Sequence, residues 1–274
     1  MTASRGVARL ALAVLLAVAH VATASAPATA QGFDCLIEAN ASVPVAFPVE
    51  GLVETVRVDR GDLVTAGQVL ATLESSVEKA SVLLAKARAE IESALKSNQV
   101  RVDFGVRRFE RTDEMYKKNL VPLKELDEAE TAKVLAELGV LEARENTKLA
   151  ELELGRATAA LELRTLRSPV TGVVVERSVH PGEHTKQTPI LKLAQIDPLR
   201  VEVIVPVAQL GKVAVGMKAE VTPEAPVGGV YQARVTVVDR VVDAASGTFG
   251  IRLEMPNPAY RLPAGLKCKV RFLR

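Results

Sequence analysis

One stretch of this chain occurs twice, the second copy displaced by 121 residues from the first. Residues 47–73 read FPVEGLVETVRVDRGDLVTAGQVLATL and residues 168–194 read SPVTGVVVERSVHPGEHTKQTPILKLA, and the two align without a gap. Identical pairs are Pro48/Pro169, Val49/Val170, Gly51/Gly172, Val53/Val174, Val58/Val179, Gly61/Gly182 and Leu70/Leu191, and Asp62/Glu183 is conservative. Each copy has short alternating β-branched runs punctuated by glycine, the pattern of small strands joined by tight turns. The pair predicts one small β-module whose halves, residues 45–75 and 168–197, are separated in the chain.

What separates them has a different character. Residues 76–167 contain one proline, Pro122, and are dominated by helix formers. Val77, Ala80, Leu84, Ala87, Ile91 and Ala94 follow 3-4 spacing, and Asn98, Val102, Gly105, Phe109, Thr112 and Tyr116 continue it less cleanly. Beyond Pro122, Leu138, Leu141, Leu149, Leu152, Ala159, Leu163 and Leu166 form a second seam, with Glu145 and Arg156 in its gaps. These seams are expected to be the core of an antiparallel hairpin, leaving charged outer faces for contacts between protomers. Irregular 3-4-4 steps at Asn98 and Glu145 predict one shared local unwinding. Each limb has about 43 residues, hence ~65 Å at 1.5 Å per residue, and turns at about 117–123. Neither limb is expected to be stable without the other.

After the second copy, VEVIV, KAEVTPE, YQARVTVVDRVV, FGIRLEM and KCKVRF read as five or six strands in residues 198–274. That density suggests a small closed barrel. Residues 31–44 are expected to add a strand near it. Cys35 and Cys268 lie in segments that read as strands able to pair. In an oxidising compartment they form a disulfide candidate, worth ~4–5 kcal/mol on the chain-entropy model. Two buried thiols that never meet are the alternative.

Residues 1–30 have the three parts of a secretory signal. Arg5 and Arg9 precede an apolar run over residues 10–21, and Ala28-Thr29-Ala30 fits a cleavage site. The run is too short to cross a ~30 Å hydrocarbon core comfortably. An exported chain without a further membrane span is expected. Of 35 Lys and Arg against 33 Asp and Glu, removing Arg5 and Arg9 leaves 33 of each. No basic stripe marks a nucleic-acid partner. Six Phe, three Tyr and no Trp leave little for large apolar pockets or base-stacking platforms.

Residues 180–184, His-Pro-Gly-Glu-His, satisfy a zinc-protease pattern. That chemistry needs both histidines on one helical face, and Pro181-Gly182 predicts a turn instead. A weak metal contact through His180, Glu183 and His184 stays open; a catalytic zinc does not. No nucleophile elbow or phosphate loop is present, so no enzyme is expected.

The split repeat, the intervening hairpin and the following barrel resemble the periplasmic adaptor, or membrane fusion protein, family of efflux and secretion systems. The repeat copies look like the halves of a lipoyl/biotinyl-type domain, and the resemblance covers nearly all of residues 35–274. It implies an elongated, modular α+β fold: a split lipoyl-like β-module with a long coiled-coil hairpin inserted, then a β-barrel. It also implies a non-catalytic periplasmic subunit, peripheral to the membranes. Such a subunit bridges an inner-membrane transporter and an outer-membrane channel, as a homo-oligomeric ring. A carrier lysine would stand at the junction Leu73-Glu74-Ser75-Ser76-Val77, which has none, so no cofactor is expected. No membrane-proximal domain after the barrel and no retained anchor are expected.

In better-studied family members the hairpin tip carries an Arg, a Leu four residues later and a Ser eleven residues after the Arg. Here these positions are Arg111, Met115 and Pro122. With the neighbouring Lys118 they are the candidate channel-binding residues, with Arg111 as one more solvated charge the alternative. Two further readings are a periplasmic metal or small-substrate delivery protein and an envelope spacer.

Overall fold

The computed structural model describes residues 32–273; the expected signal segment, residues 1–30, lies outside the described residues. Strand β1 (Phe33–Val45) opens the fold, followed by β2 (Gly51–Val56), β3 (Leu63–Val64) and β4 (Val69–Leu73). Three helices come next: α1 (Ser76–Ala89), α2 (Ser93–Lys117) and α3 (Leu123–Glu162). The chain returns through β5 (Thr165–Arg167), β6 (Gly172–Arg177), β7 (His184–Thr185) and β8 (Leu191–Pro206). It ends in β9 (Lys218–Pro223), β10 (Tyr231–Val238), β11 (Thr248–Met255) and β12 (Leu266–Phe272).

The sequence repeat is a structural repeat, and its halves exchange strands. β2 and β6 occupy equivalent places, as do β3 and β7, yet β2 pairs with β7 and β3 with β6. The backbone bonds repeat with the same displacement. Val53 N–H donates to Glu183 O and Val174 N–H to Asp62 O, while Gly182 N–H reaches Val53 O and Gly61 N–H reaches Val174 O. Gly61 and Gly182 take φ of +95° and +90°, the left-handed region that glycine enters without penalty. The sheet β5-β4-β2-β7 covers the β3, β6, β8 and β1 strands over a core that includes Phe47, Val53, Leu70, Leu73, Leu191 and Leu193. Neither half has a complete sheet alone, so the inserted helices leave one module intact.

The barrel is six-stranded and closed, in the order β1-β12-β9-β10-β11-β8 with β1 pairing β8. Five strands come from the expected region and the sixth from the N-terminal segment. β1 and β8 run through both modules, pairing over Cys35–Ala39 with Leu199–Val203 in the barrel and over Ala41–Val45 in the sandwich. A register shift between Ala39 and Ala41 marks the junction. The buried Asn257 locks this place: its side chain donates to Ile196 O and Leu262 O, and its backbone N–H reaches the Asp197 carboxylate at 2.8 Å. Cys35 and Cys268 stand opposite each other on β1 and β12 and are bonded, with Cα atoms 4.9 Å apart inside the barrel core.

The hairpin departs from expectation in its first limb. α3 is continuous for 40 residues, whereas the opposing limb is interrupted at residues 90–92 between α1 and α2. Seam residues explain the break. Glu78, Val82, Ala85 and Ala89 face the partner along α1, and Leu95, Asn98, Val102 and Gly105 along α2. From Ala89 to Leu95 is six residues, one fewer than a heptad, so an unbroken helix cannot keep both on the seam. The expected shared unwinding at Asn98 and Glu145 is absent: both residues lie inside regular helix.

Candidate functional site

The hairpin is the feature the rest of the fold positions. At its base Arg164, just past α3, ties three elements together. Its guanidinium donates to the Glu78 carboxylate of α1 at 2.6 Å and to Glu50 O at 3.2 Å, while its own carbonyl accepts from Leu73 N–H at 2.8 Å. The ion pair is largely shielded, with side chains 25% and 19% exposed. Glu74 accepts from Ser76 N–H at the start of α1, and those bonds hold its carboxyl below the ordinary range. Sequence reading passed over Arg164, because its partner is a surface-type glutamate far away in the chain.

Between base and tip the limbs meet through small side chains. Ala129, Val140 and Ala143 are buried on α3, and Lys133, Ala136, Thr147, Ala150, Leu154 and Ala157 continue the same strict 3-4 seam, half-buried. Gly105 lies so close to α3 that a Cβ would stand 3.2 Å from Lys133 Cα, and Gly139 faces the Asn98 side chain as closely. The expected leucine core is therefore corrected. Leu138, Leu141, Leu149, Leu152 and Leu163 are exposed, as are Val77, Leu84 and Ile91 on the first limb. Leu166 is buried, but on strand β5. Only the distal part of the first seam (Asn98, Val102, Gly105, Phe109 and Thr112) faces the partner helix as expected. Helices this close have room for alanine and glycine, and the leucines, half a turn away, line the outer edges. The missed signal was a second heptad phase made of alanines.

The tip follows from capping chemistry. Asn119 takes φ +58°, its N–H bonds to Tyr116 O, and Leu120 N–H bonds to Met115 O at 2.9 Å. This is the Schellman closure, whose left-handed position is usually glycine and sometimes asparagine. Pro122 then stands at the N-cap of α3. Met115, Lys118 and Pro122 are exposed around this turn, and Arg111 is exposed lower on α2. Leu120, 69% exposed at the apex, was not singled out in sequence.

His180 and Glu183 meet at 3.2 Å on an exposed turn outside any helix, and His184 sits on β7 paired with Leu52. Among the described residues no group of three or more His, Cys, Asp or Glu side chains is placed to hold a metal ion. Among the described residues no helix is long and apolar enough to cross a membrane.

Residues 41–195 match the family model described as a CzcB-like, barrel-sandwich hybrid domain. Residues 199–274 match that of a CusB-like β-barrel domain. The chain belongs to the membrane fusion protein family. It is 25% identical over 95% of its length to the nickel and cobalt resistance protein CnrB of Cupriavidus metallidurans. It is 27% identical over 85% of its length to the nickel-cobalt-cadmium resistance protein NccB of Alcaligenes xylosoxydans xylosoxydans. It covers 63% and 59% of those two proteins, and between 56% and 63% of the first curated relatives it matches. Among solved structures, MacA from Actinobacillus actinomycetemcomitans shares the fold with a TM-score of 0.73 at 22% identity, over 88% of this chain and 77% of that one. The family consists of adaptors of efflux systems, so the modules described above are adaptor modules.

Proposed function

We propose that this chain is a non-catalytic periplasmic adaptor that bridges an inner-membrane transporter and an outer-membrane channel and exports divalent transition-metal cations. The observation that carries the reading is the order of modules, half-sandwich, hairpin, half-sandwich, barrel, which the two family models cover over residues 41–195 and 199–274. In this reading the sandwich, clamped by Arg164, aims the hairpin, and the barrel faces the transporter. Met115, Lys118, Leu120 and Pro122 present the tip to the channel. The secretory features of residues 1–30 support a periplasmic location, and the metal-resistance relatives support the cargo. The adaptor itself contributes reach and alignment, and the transporter supplies the energy.

A photo-reactive residue at Lys118, activated in cells and followed by mass spectrometry of the adduct, tests the bridge. Capture of an outer-membrane channel protein is expected. Recovery of nothing but further copies of the chain would sink the bridging role. Deleting the gene should lower the tolerated concentration of nickel, cobalt, zinc or cadmium; unchanged tolerance to all four removes the proposed cargo.

A further inference from the structure

The end of the barrel away from the sandwich carries apolar side chains that nothing in the chain covers. β8 runs out of the sandwich and reaches this end at Pro206, opposite Thr248 of β11, and β12 reaches it at Phe272, opposite Ala219 of β9. Two loops close it, residues 207–217 between β8 and β9 and residues 239–247 between β10 and β11. They adjoin where Val207 N–H donates to Gly247 O at 2.9 Å. Val213 packs into the barrel core and plugs it. Val207, Leu210, Val215 and Val241 stay outside, exposed by 46%, 52%, 66% and 81%. A single exposed valine is ordinary on a surface, but four such side chains from two adjoining loops at one end form a patch.

The charges of the same loops are sorted. Asp243 is turned onto its own loop, accepting from Ala245 N–H at 2.9 Å. Asp239 lies against the barrel wall at Gly250, where a Cβ would collide with its carboxylate. Among the described residues neither Lys212 nor Arg240 takes part in an ion pair, whereas Arg252 and Arg271 on the wall do. The barrel as a whole is basic. Residues 199–274 hold eleven Lys and Arg against six Asp and Glu, and Asp34 and Glu38 of β1 reduce the excess to +3. Apolar side chains flanked by free cations are the composition of a surface that enters the interface of an anionic bilayer. The path of the chain adds a second argument. β1 begins at this end, with Phe33 opposite Val270, so residues 1–31 join the fold here. The apolar run over residues 10–21 is separated from Phe33 by residues 22–32, a reach of at most ~40 Å. While that run is held in the membrane during export, this end of the barrel is the end kept beside it.

From this patch we infer that the two end loops dock directly on lipid: Val207, Leu210, Val215 and Val241 enter the headgroup region of an anionic bilayer, and Lys212 and Arg240 meet its phosphates. The inference rests on the periplasmic location in the adaptor reading and goes beyond it. The end of the barrel is then a lipid contact, and a transporter has the barrel wall to bind. The hairpin, rising from the sandwich at the other end, is held away from the membrane by the length of the barrel.

The test uses the exported chain with its disulfide intact and its signal removal checked by mass, since an attached signal would bind membranes by itself. Flotation with vesicles of phosphatidylglycerol and phosphatidylcholine in equal parts is compared with flotation on phosphatidylcholine alone. Binding to the mixed vesicles is expected, and Val215→Glu with Val241→Glu should weaken it at least tenfold with unchanged thermal unfolding. Lys212→Gln and Arg240→Gln should each weaken it about fivefold. Val230→Glu is the control, 62% exposed in the loop between β9 and β10 at the opposite end of the barrel, and should bind as the native chain does. No flotation, or flotation that survives the two glutamates, overturns the inference, and equal binding to both vesicles overturns the part assigned to Lys212 and Arg240. A photo-reactive residue at Val241, activated in cells, should yield a phospholipid adduct; capture of a transporter protein alone would make the patch a protein interface and sink the lipid contact. Neither readout involves channel or cargo, so the bridging role stands or falls separately on the Lys118 adduct.

Discussion

Leu138→Ala and Ala143→Leu together decide which residues hold the hairpin. Leu138 is 54% exposed and Ala143 is 6% exposed. Full burial of a leucine side chain is worth about 1.5–3 kcal/mol, so the part of Leu138 that touches its own chain contributes about 0.7–1.4 kcal/mol. Alanine's slightly better helix propensity offsets a few tenths of that. Ala143→Leu instead forces three further carbons between helices that elsewhere approach within a Cβ contact of each other. Such overpacking typically costs about 1–3 kcal/mol. A leucine-cored hairpin reverses the order, with Leu138→Ala costing about 2–5 kcal/mol and Ala143→Leu little. Urea unfolding followed at 222 nm, where the hairpin dominates the signal, measures both at a concentration low enough to keep protomers apart. Amide exchange on α2 confirms that the change is in the hairpin. A loss of 2 kcal/mol or more for Leu138→Ala in the dispersed chain, beside a neutral Ala143→Leu, refutes the small-residue seam.

The repeat-equivalent glycines are expected to respond unequally. A Cβ at Gly172 would stand 2.2 Å from Ala194 O, a backbone atom, whereas at Gly51 it meets the movable ends of Arg164 and Leu73. Gly172→Ala should cost about 3 kcal/mol or prevent folding and Gly51→Ala less than about 1 kcal/mol, by thermal or urea unfolding. Arg164→Met should destabilise the hairpin base by about 1–3 kcal/mol through loss of the Glu78 pair, with faster exchange confined to the first turns of α1 and the end of α3. One alanine inserted between Ala89 and Ser93 restores heptad phase, so helicity at 222 nm should rise and amides at 90–92 should slow; unchanged exchange there contradicts the phase explanation of the break. Replacing Cys35 and Cys268 by alanine should cost about 2–5 kcal/mol in unfolding, the bond closing a loop of 233 residues in sequence separation.

Much of the architecture was legible because it is written in local pattern. The repeated Gly-punctuated strands, the proline-poor insert and the strand-dense C-terminal region each carry a short-range signature, and the cysteines sit in segments that do pair. Strand exchange was not legible. Gly51 and Gly172 belong to equivalent strands, and nothing local says that each pairs with the other half. The helical seams failed for a different reason. α3 contains two heptad phases, one of leucines and one mainly of alanines, α1 likewise offers two mixed phases, and periodicity alone does not rank them. Choosing the larger side chains as core assumes that the helices stand far enough apart to hold leucine, and Gly105 and Gly139 bring them closer. The break at 90–92 needed the same knowledge, since a missing residue in the phase shows only once the true seam is known. At the tip, the turn was readable from Asn119 and Pro122, and the roles of Met115, Lys118 and Pro122 remain proposals for the cross-linking experiment.

The inverted distribution of sizes has an energetic consequence. Each buried methylene contributes about 0.8 kcal/mol, so a seam alanine contributes about 2 kcal/mol less than a leucine would in the same place. A coiled coil that must stand alone puts its largest side chains on the seam between its two helices. On α3 this ribbon keeps mostly alanine there and carries leucine and valine outside it, where a lone protomer gains little from them. Isolated helices depend on tertiary burial for most of their stability, and α2 has less of it than any strand of the sandwich or barrel. The hairpin thus gains little burial from its own two limbs, while the modules that aim it are closed by exchanged strands, an ion pair and a disulfide.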